Sequence, residues 1–500
     1  MIGITPSLSE FRKLAAHANV VPLSLELVAD VETPVSAFRK LDRGGYSFLF
    51  ESMEKNEVSG RFSFLGVEPR VIFQSKGRDI SITRGESTRK FQTSADPLSE
   101  LRQLMSEYRF ASRPDLPRFA GGAVGFTGYD VVRFFEPTVP AAASDDVDLV
   151  EMIFMITGAL LIFDHRFRTL KIVANAFLEP NSDPAKVYQE TETEVQKIVQ
   201  QLGKSVTLPT ISAAPTSPVL EPRSNMSREQ FEAIVAKAQE HIRAGDVFQV
   251  VVSQRFETEF RANPLDLYRA LRFVNPSPYM FCLKFGEEFS LVGSSPEMHV
   301  RVSDRVVEIR PIAGTRPRGK TPEEDERNAA ELLVDPKERA EHVMLVDLAR
   351  NDLGRIAEFG TVRVVEQMVI ERYSHVMHIV SHVTAKLQAD KDAFDVMRAT
   401  FPAGTVSGAP KVRAMQIISE LEKSKRGCYA GAVGYFGFDG ALDSCIVLRS
   451  VVLKNGRAYF QAGAGIVADS TPAAEFHESV NKALALTQAL AIAEASSPGR

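Results

Sequence analysis

Two predicted helices constrain the fold most, because each carries glutamates on an otherwise apolar face. The first spans Asp335–Gly354, with a favoured N-cap residue, then proline, and a glycine at its end. Spacings of three and four residues place four side chains on one face of this helix: Glu338, Glu341, Leu345 and Leu348. Carboxylates that continue a buried apolar stripe need a partner.

A second predicted helix near the end of the chain repeats this arrangement. It begins at Thr471 and Pro472, and Glu475, Glu478 and Lys482 lie on one of its stripes. If the two helices face each other, four carboxylates converge, and their repulsion favours either protonation or a hard cation such as Mg²⁺. The alternative is two solvated surface helices with ordinary charge pairs.

Composition narrows the class of protein. A length of 500 residues allows about two or three domains or one large α/β unit. The net charge of −5 favours neither nucleic acid nor an anionic membrane as a partner. The longest apolar stretch, Met152–Phe163, is too short to span a bilayer and is predicted to be a core strand. Three widely spaced cysteines, without metal-ligand spacing, fit a reducing cytoplasm.

The order of predicted elements favours an α+β fold. Residues 1–204 read as strands with irregularly placed helices, which argues against a regular βαβ array. Residues 205–225 are rich in Pro, Ser and Thr without periodicity, so they are predicted to be a linker. Residues 226–496 form the second region, in which Ser444–Lys454 is predicted to be a strand carrying Arg449.

Three glycine-containing segments could bind an anion. They are GTVSGAPK at 404–411, PIAGTRPRG at 311–319 and QAGAG at 461–465. Backbone N–H groups at a glycine-rich turn or a helix N-terminus can point at a carboxylate or phosphate. Each segment taken alone is equally compatible with a plain turn.

Taken together, these motifs, the SPE at Ser295–Glu297 and the terminal EFHESVNKA resemble the anthranilate synthase component I family of chorismate-using enzymes. The resemblance covers nearly the whole chain and is densest from Phe248 to Lys482. It implies a large α/β/β/α sandwich of two antiparallel sheets with outer helices and two intertwined subdomains. The linker at 205–225 then lies within one unit.

The resemblance also implies the reaction and the metal. Chorismate and ammonia would give anthranilate and pyruvate with the help of Mg²⁺. Glu341 and Glu478 match direct metal ligands, and Glu338 and Glu475 match residues that act through water or orient those ligands.

Roles of the other site residues follow from the same match. Glu297 matches the general acid for the leaving hydroxyl, His378 the histidine of pyruvate elimination, and Lys482 a residue near the metal. A lone strand histidine is otherwise usually a packing residue. The expected substrate contacts comprise the following residues: Gly314, Thr315, Thr405, Tyr429, Arg449, Gly463, Ala464 and Gly465.

Two positions separate the members of this superfamily. Gln249 lies where the water-using relatives, isochorismate and salicylate synthases, look to have a lysine base. Glutamine can hold ammonia but cannot deprotonate water. Ala313 lies where aminodeoxychorismate synthases typically carry lysine. Both favour anthranilate synthase, with aminodeoxychorismate synthase or a non-catalytic tryptophan-binding subunit as alternatives.

The family implies two further partners. None of the cysteines lies in a Gly-x-Cys-x-Gly turn, so we expect a separate glutamine amidotransferase subunit to supply ammonia. Feedback inhibition by L-tryptophan implies a regulatory site in the first region and in NPSPYMF at 275–281, although that segment could be a simple turn into a strand. The matching residues are Glu51, Ser52, Asn275, Pro278, Tyr279 and Met280.

Overall fold

The structure is a computed structural model that describes residues 3–53, 60–212, 220–373 and 376–496. Twelve α-helices occur in the described residues: α1 Leu8–Ala15, α2 Pro34–Leu41, α3 Pro97–Ser106, α4 Val132–Phe135, α5 Pro184–Leu202, α6 Arg228–Arg243, α7 Pro264–Val274, α8 Pro322–Val334, α9 Pro336–Gly354, α10 Ala393–Thr400, α11 Lys411–Leu421 and α12 Pro472–Ala495. Short 3₁₀ turns occur at Tyr129–Val131 and Gly404–Val406.

The strands of the described residues, in chain order, are β1 Val20–Val28, β2 Tyr46–Glu51, β3 Phe62–Val67, β4 Val71–Lys76, β5 Asp79–Arg84, β6 Ser87–Gln92, β7 Gly122–Thr127, β8 Met152–Ile156, β9 Ala159–Asp164, β10 Thr169–Phe177, β11 Arg223–Ser224, β12 Gln249–Glu259, β13 Tyr279–Phe285, β14 Phe289–Ser295, β15 Met298–Ser303, β16 Val306–Ile309, β17 Ile312–Pro317, β18 Arg363–Arg372, β19 Val376–Lys386, β20 Gly408–Ala409, β21 Ala432–Gly437, β22 Leu442–Ile446, β23 Ser450–Lys454 and β24 Arg457–Ile466.

These strands form two antiparallel sheets of twelve strands each. The first has the order β1-β10-β9-β3-β2-β13-β14-β23-β24-β12-β11, with β20 beside β12. The second has the order β17-β19-β16-β15-β22-β21-β7-β8-β4-β5-β6, with β18 beside β19. Both sheets take strands from before and after the predicted linker, as β2 pairs with β13 and β7 pairs with β21. The two chain regions are therefore interwoven.

The core consists of three main apolar layers. One cluster lies between the sheets and joins Phe48 and Phe281 of the first sheet to Phe126 and Val433 of the second. A second cluster packs α2, α5, α7 and α12 on the first sheet, and a third packs α3, α9, α10 and α11 mainly on the second. This layering of helices, sheet, sheet and helices confirms the predicted α/β/β/α sandwich.

Two predicted strands are wrong in extent because the chain changes sheets within them. Met152–Phe163 is divided into β8 of the second sheet and β9 of the first. Ser444–Lys454 is likewise divided into β22 and β23, and Arg449 lies in the crossover with φ of +46°. Of the predicted linker, 213–219 lies outside the described residues, and Arg223–Ser224 pairs with β12. No helix in the described ranges is long and apolar enough to cross a membrane.

Candidate active site

The glutamates of α9 and α12 interact electrostatically. Burial raises the pKa of Glu341, and the charges of Glu338 and Glu478 raise it further, against a hydrogen bond from Gln249 that lowers it. Burial also raises the pKa of Glu475, and the charge of Glu478 adds to this effect. The charge of Glu478 on α12 therefore acts on Glu341 of α9, so the two helices face each other here, which the spacing within each helix had left open.

The donor set of this carboxylate cluster suits a hard cation. In the described part of the chain, no three His, Cys, Asp or Glu side chains are arranged to hold a metal ion by themselves. Mg²⁺, however, is usually bound through one or two carboxylates, with waters and substrate oxygens completing its shell. Oxygen ligands on α9 and α12 fit that mode of binding, in which the substrate supplies part of the coordination.

Gln249 lies at the start of β12, directly beside this cluster. Its side chain is buried, and its Nε2 donates a hydrogen bond to Glu341 Oε1 at 3.1 Å. A Cβ on Gly465 of the neighbouring strand would lie 2.5 Å from Gln249 Nε2. Glycine at position 465 therefore leaves the space that the amide occupies, and the amide is held between β24 and α9.

Lys482 connects the cluster to β24. Its Nζ lies 2.7 Å from Glu478 Oε1 and donates a hydrogen bond to the Gly463 carbonyl at 3.1 Å. The buried Tyr429 approaches the same glycine, because a Cβ on Gly463 would lie 3.0 Å from its hydroxyl. Ala464, between the two glycines, is buried and pairs with Val252 in the ladder. The ammonium group of Lys482 and the hydroxyl group of Tyr429 thus both lie beside the backbone at 463–465.

His378 on β19 forms the other side of the site. Its Nδ1 lies 2.8 Å from the Gly314 carbonyl and 3.1 Å from Thr315 Oγ1. Burial lowers the pKa of His378, and the charge of Arg449 lowers it further against the effect of the Gly314 carbonyl. A neutral imidazole that donates its Nδ1–H to this carbonyl keeps a lone pair on Nε2, so His378 is suited to accept a proton.

Gly314 joins this side to the carboxylates. It has φ of +68°, a conformation that favours glycine, and a Cβ there would lie 3.1 Å from Glu338 Oε2. Glu338 in turn pairs with Arg316 at 3.1 Å. The strand β17 therefore places Gly314, whose carbonyl is the hydrogen-bond partner of His378, directly beside Glu338, the first glutamate of α9.

Arg449 is a partly buried cation that has no carboxylate partner among the described residues. Burial lowers the pKa of its guanidinium. Its Nη1 donates a hydrogen bond to Asn275 Oδ1 at 3.3 Å. Because a charge that is largely removed from water is stabilised by an opposite charge, Arg449 is suited to bind an anionic ligand. Its proximity to His378 places that anion near the proton acceptor.

Glu297 lies beneath the apolar stripe of α9. Burial raises its pKa to about 8, and the nearby Thr405 hydroxyl opposes this. Within the described residues, the buried Thr405 Oγ1 makes no hydrogen bond of ordinary geometry. Both residues line a cavity of about 30 Å³ together with Leu345 and Leu348. A carboxyl that stays protonated near neutral pH can donate a proton.

Most of the predicted inhibitor residues line a separate cavity of about 760 Å³, namely Glu51, Ser52, Pro278, Tyr279 and Met280. Asn275 is not among its lining residues, and its side chain contacts Ser294 and Arg449 instead. Glu51 is buried and already accepts a hydrogen bond from the Tyr268 hydroxyl at 2.6 Å. It also pairs with Arg272 at 3.2 Å.

The sequence analysis missed one buried ion pair at this site. Arg426 and Glu422 are four residues apart just beyond α11, and their side chains are 1% and 5% exposed. A Glu and an Arg at this spacing ordinarily indicate a solvated surface pair. The pair stands in the polar run SELEKSKR at 419–426, so the local sequence favours a solvated pair, and only the apolar segment that follows, Gly427–Gly431, hints at burial.

Comparison with known proteins places this geometry in a class. The family model of chorismate binding enzymes matches residues 46–488, and the chain belongs to that family. Among its relatives, anthranilate synthase component 1 of Acetivibrio thermocellus is 47% identical, covering 97% of this chain and 98% of that protein. The corresponding protein of Aquifex aeolicus is also 47% identical, with 99% of each chain covered.

Solved structures agree with this assignment. Anthranilate synthase component I from Streptococcus pneumoniae superposes with a TM-score of 0.75 at 36% identity, covering 92% of this chain and 99% of that chain. The menaquinone-specific isochorismate synthase of Escherichia coli shares the fold, with a TM-score of 0.70 at 18% identity over 96% of this chain and 99% of that chain.

Proposed function

We propose that the protein is component I of an anthranilate synthase. It would convert chorismate and ammonia to anthranilate and pyruvate, the step that commits chorismate to tryptophan biosynthesis. The two relatives of 47% identity that carry this name support the proposal over almost the full chain. The position of Gln249 carries it, because the side chain beside the carboxylates is an amide and not a base.

Substrate binding follows from the charges of the site. Arg449, Tyr429 and the backbone at 463–465 would bind the enolpyruvyl carboxylate, since no carboxylate in the described part of the chain pairs with the guanidinium. Glu341 and Glu478 would hold Mg²⁺ directly, with Glu338 and Glu475 acting through water. When bound, Mg²⁺ neutralises the ring carboxylate and polarises the ring toward attack.

The protein groups then supply the proton transfers. Ammonia held by Gln249 adds at ring C2 through its own lone pair, so no base is needed before the attack, and the C2 ammonium that forms then loses one proton to solvent. Glu297, protonated near neutral pH, donates its proton to the leaving C4 hydroxyl. His378 Nε2 takes the C2 proton, the C2–H electron pair completes the aromatic ring, and the C3–O bond breaks. The released enolpyruvate gains a proton and becomes pyruvate.

The test is a fluorescence assay with chorismate, ammonium and Mg²⁺. We expect anthranilate to form with an equal amount of pyruvate. Accumulation of aminodeoxychorismate without pyruvate would instead identify an aminodeoxychorismate synthase, and isochorismate formation without ammonium would identify a hydrating enzyme. Bound tryptophan without any turnover would favour the non-catalytic regulatory subunit.

We also propose a glutamine amidotransferase subunit as the source of ammonia, so that the working enzyme is a hetero-oligomer. The names of the relatives as a first component support a partner. Glutamine alone should then fail to replace ammonium, and addition of the second component should restore turnover.

The three cysteines are free and buried, which agrees with a cytoplasmic enzyme.

Feedback inhibition by L-tryptophan is proposed for the cavity of about 760 Å³. Its volume lies within the usual range of about 300–1,000 Å³ for small-molecule sites. Glu51 can contact an ammonium group and Ser52 can hydrogen-bond beside it, while Met280 and Tyr279 supply apolar surface. The strand pairing of Glu51 with Met280 brings the two distant sequence segments together.

A further inference from the structure

The buried ion pair Arg426–Glu422 has no counterpart in the roles assigned above, although it lies against the active site. Arg426 uses all three guanidinium nitrogens. Its Nε donates to Glu422 Oε2 at 2.8 Å, and its Nη2 donates to Glu422 Oε1 at 2.6 Å and to the Val251 carbonyl at 2.8 Å. Its Nη1 donates to the Val406 carbonyl at 2.8 Å.

Through two of these hydrogen bonds and its ring contacts, Arg426 reaches three separate segments of the site. Val406 directly follows Thr405, which lies beside Glu297. Val251 pairs with Gly465 in the ladder between β12 and β24, two residues beyond Gln249. The guanidinium also lies 5.5 Å from the ring centroid of Tyr429 and 4.8 Å from that of Tyr129.

Glu422 extends the same network. Its Oε1 accepts hydrogen bonds from the Ser253 N–H at 2.7 Å and the Ser253 hydroxyl at 2.9 Å. Gln461 Nε2 in turn donates to the Ser253 hydroxyl at 2.8 Å. The pair is thus anchored to β12 at two points, beside the backbone that lines the substrate carboxylate site.

Stability alone does not explain such a pair. Removing two charges from water costs about as much as their attraction returns, and apolar replacements of buried ion pairs are often neutral. A planar guanidinium with fixed donors can instead set the relative positions of several backbone carbonyls. We infer that Arg426, held by Glu422, is a positioning residue that aligns the Thr405 turn, β12 and Tyr429 for chorismate.

The inference rests on the proposed function, and it is tested with a charge-free double variant. Arg426→Met with Glu422→Gln removes both charges while the amide still accepts from Ser253. We expect the melting temperature to stay within a few degrees of wild type and kcat/KM for chorismate to fall by about thirty- to a hundredfold, because small misplacements of binding groups are costly. Most of the loss should lie in KM, since Tyr429 is one of the residues proposed to bind the substrate carboxylate.

The matched control is the pair Lys284–Asp42, whose side chains are 12% and 9% exposed and whose side-chain hydrogen bonds within the described residues go to each other, Gly44 and Ser47. Lys284→Met with Asp42→Asn should leave kcat/KM within threefold of wild type. Arg426→Lys serves as a second variant. It keeps the charge opposite Glu422 but cannot reach the Val251 and Val406 carbonyls together, so it should lose activity nearly as far.

Hydrogen exchange separates this inference from the proposed function. Amides of 404–409 and 427–431 should lose protection in the Arg426 variants and keep it in the control, whether or not chorismate is the substrate. Unchanged exchange in these segments, or kcat/KM within threefold of wild type in a folded Arg426 variant, would overturn the inference. A wild-type protein without anthranilate formation would refute the function, while exchange would still decide the role of Arg426.

Discussion

Burial determines the protonation state of the individual acid and base at this site. Burial raises the pKa of Glu297 to about 8, whereas it lowers the pKa of His378 and of Arg449. The acid is therefore protonated and the histidine neutral at the same pH. This is the pairing that an elimination assisted by a general acid and a general base needs.

Replacement of Glu297 by glutamine tests the general acid. Glu297→Gln should lower kcat by about a hundredfold or more, because the amide cannot donate a proton to the leaving hydroxyl. In wild type, kcat should fall as pH rises through about 8, the pKa of Glu297. A pH-independent rate between pH 7 and 9.5, with chemistry rate-limiting, would argue against this role.

The same variant should differ from wild type in stability. A folded-state pKa raised above the unfolded value gives stability that is present below about 4.5 and lost as pH rises through about 8. Glu297→Gln should therefore gain stability relative to wild type between pH 5 and 9, by up to several kcal/mol since one pKa unit corresponds to about 1.4 kcal/mol. Urea unfolding of both proteins at pH 5 and at pH 9 measures the difference in their free energy of unfolding. A constant difference would show that Glu297 is ionised in the folded protein.

Replacement of His378 by methionine tests the second step. His378→Met should leave amination intact and slow elimination, because methionine fills the space but accepts no proton. An aminodeoxyisochorismate intermediate should accumulate, and chromatography of the quenched reaction measures it. Recovery of chorismate alone would show that His378 acts before amination or only supports the structure.

At the scale of elements, the helices α9 and α12 position the four glutamates of the site. The sequence predicted α9 almost to the residue because its signals are local: Asp335 accepts from the N–H groups of Lys337 and Glu338, with proline next. The crossover at Arg449 was not predictable in this way. Alternation of apolar residues continues through β22 and β23, and nothing local indicates that the two halves join different sheets.

The buried pair Arg426–Glu422 escaped prediction for a similar reason. Its partners, the Val251 and Val406 carbonyls, lie far away in sequence. The site residues were predicted from the resemblance of the motifs to the family. The structure adds that Gln249 contacts both Glu341 and Gly465. Asn275 differs, since its side chain contacts Arg449 and does not line the inhibitor cavity.

A change on α9 tests the metal site. Glu341→Ala should abolish anthranilate formation in Mg²⁺ buffer while the melting temperature stays at or above that of wild type, because burial and neighbouring carboxylates disfavour its charge. Asp347→Ala is the control, since Asp347 is exposed on the same helix and pairs with Arg350. Full activity of Glu341→Ala in chelator-treated buffer would contradict the Mg²⁺ assignment.

At the scale of the whole molecule, the interwoven sheets give the two cavities a physical connection. The strand β2 belongs to the first region, yet it pairs with β13, and β13 follows the segment that contains Asn275. Asn275 accepts a hydrogen bond from Arg449, the proposed anchor of the substrate. A ligand that shifts β2 against β13 can therefore alter chorismate binding, and by linkage chorismate must alter its binding equally.

The Ser52→Phe variant tests this coupling. The phenyl ring should fill part of the inhibitor cavity, so that L-tryptophan no longer fits, while the uninhibited rate stays within a few-fold of wild type because Ser52 lines this cavity and not that of Glu297. Loss of one charge-assisted contact alone, about 1.5–3 kcal/mol, would weaken tryptophan binding by about ten- to a hundredfold. The measurement is the tryptophan dose–response of both proteins at fixed chorismate. Because the coupling is reciprocal, a second measurement is available on the wild-type protein. Saturating chorismate should weaken tryptophan binding by the same factor by which tryptophan weakens chorismate binding. An unchanged inhibition midpoint in Ser52→Phe would place the tryptophan site elsewhere on the chain.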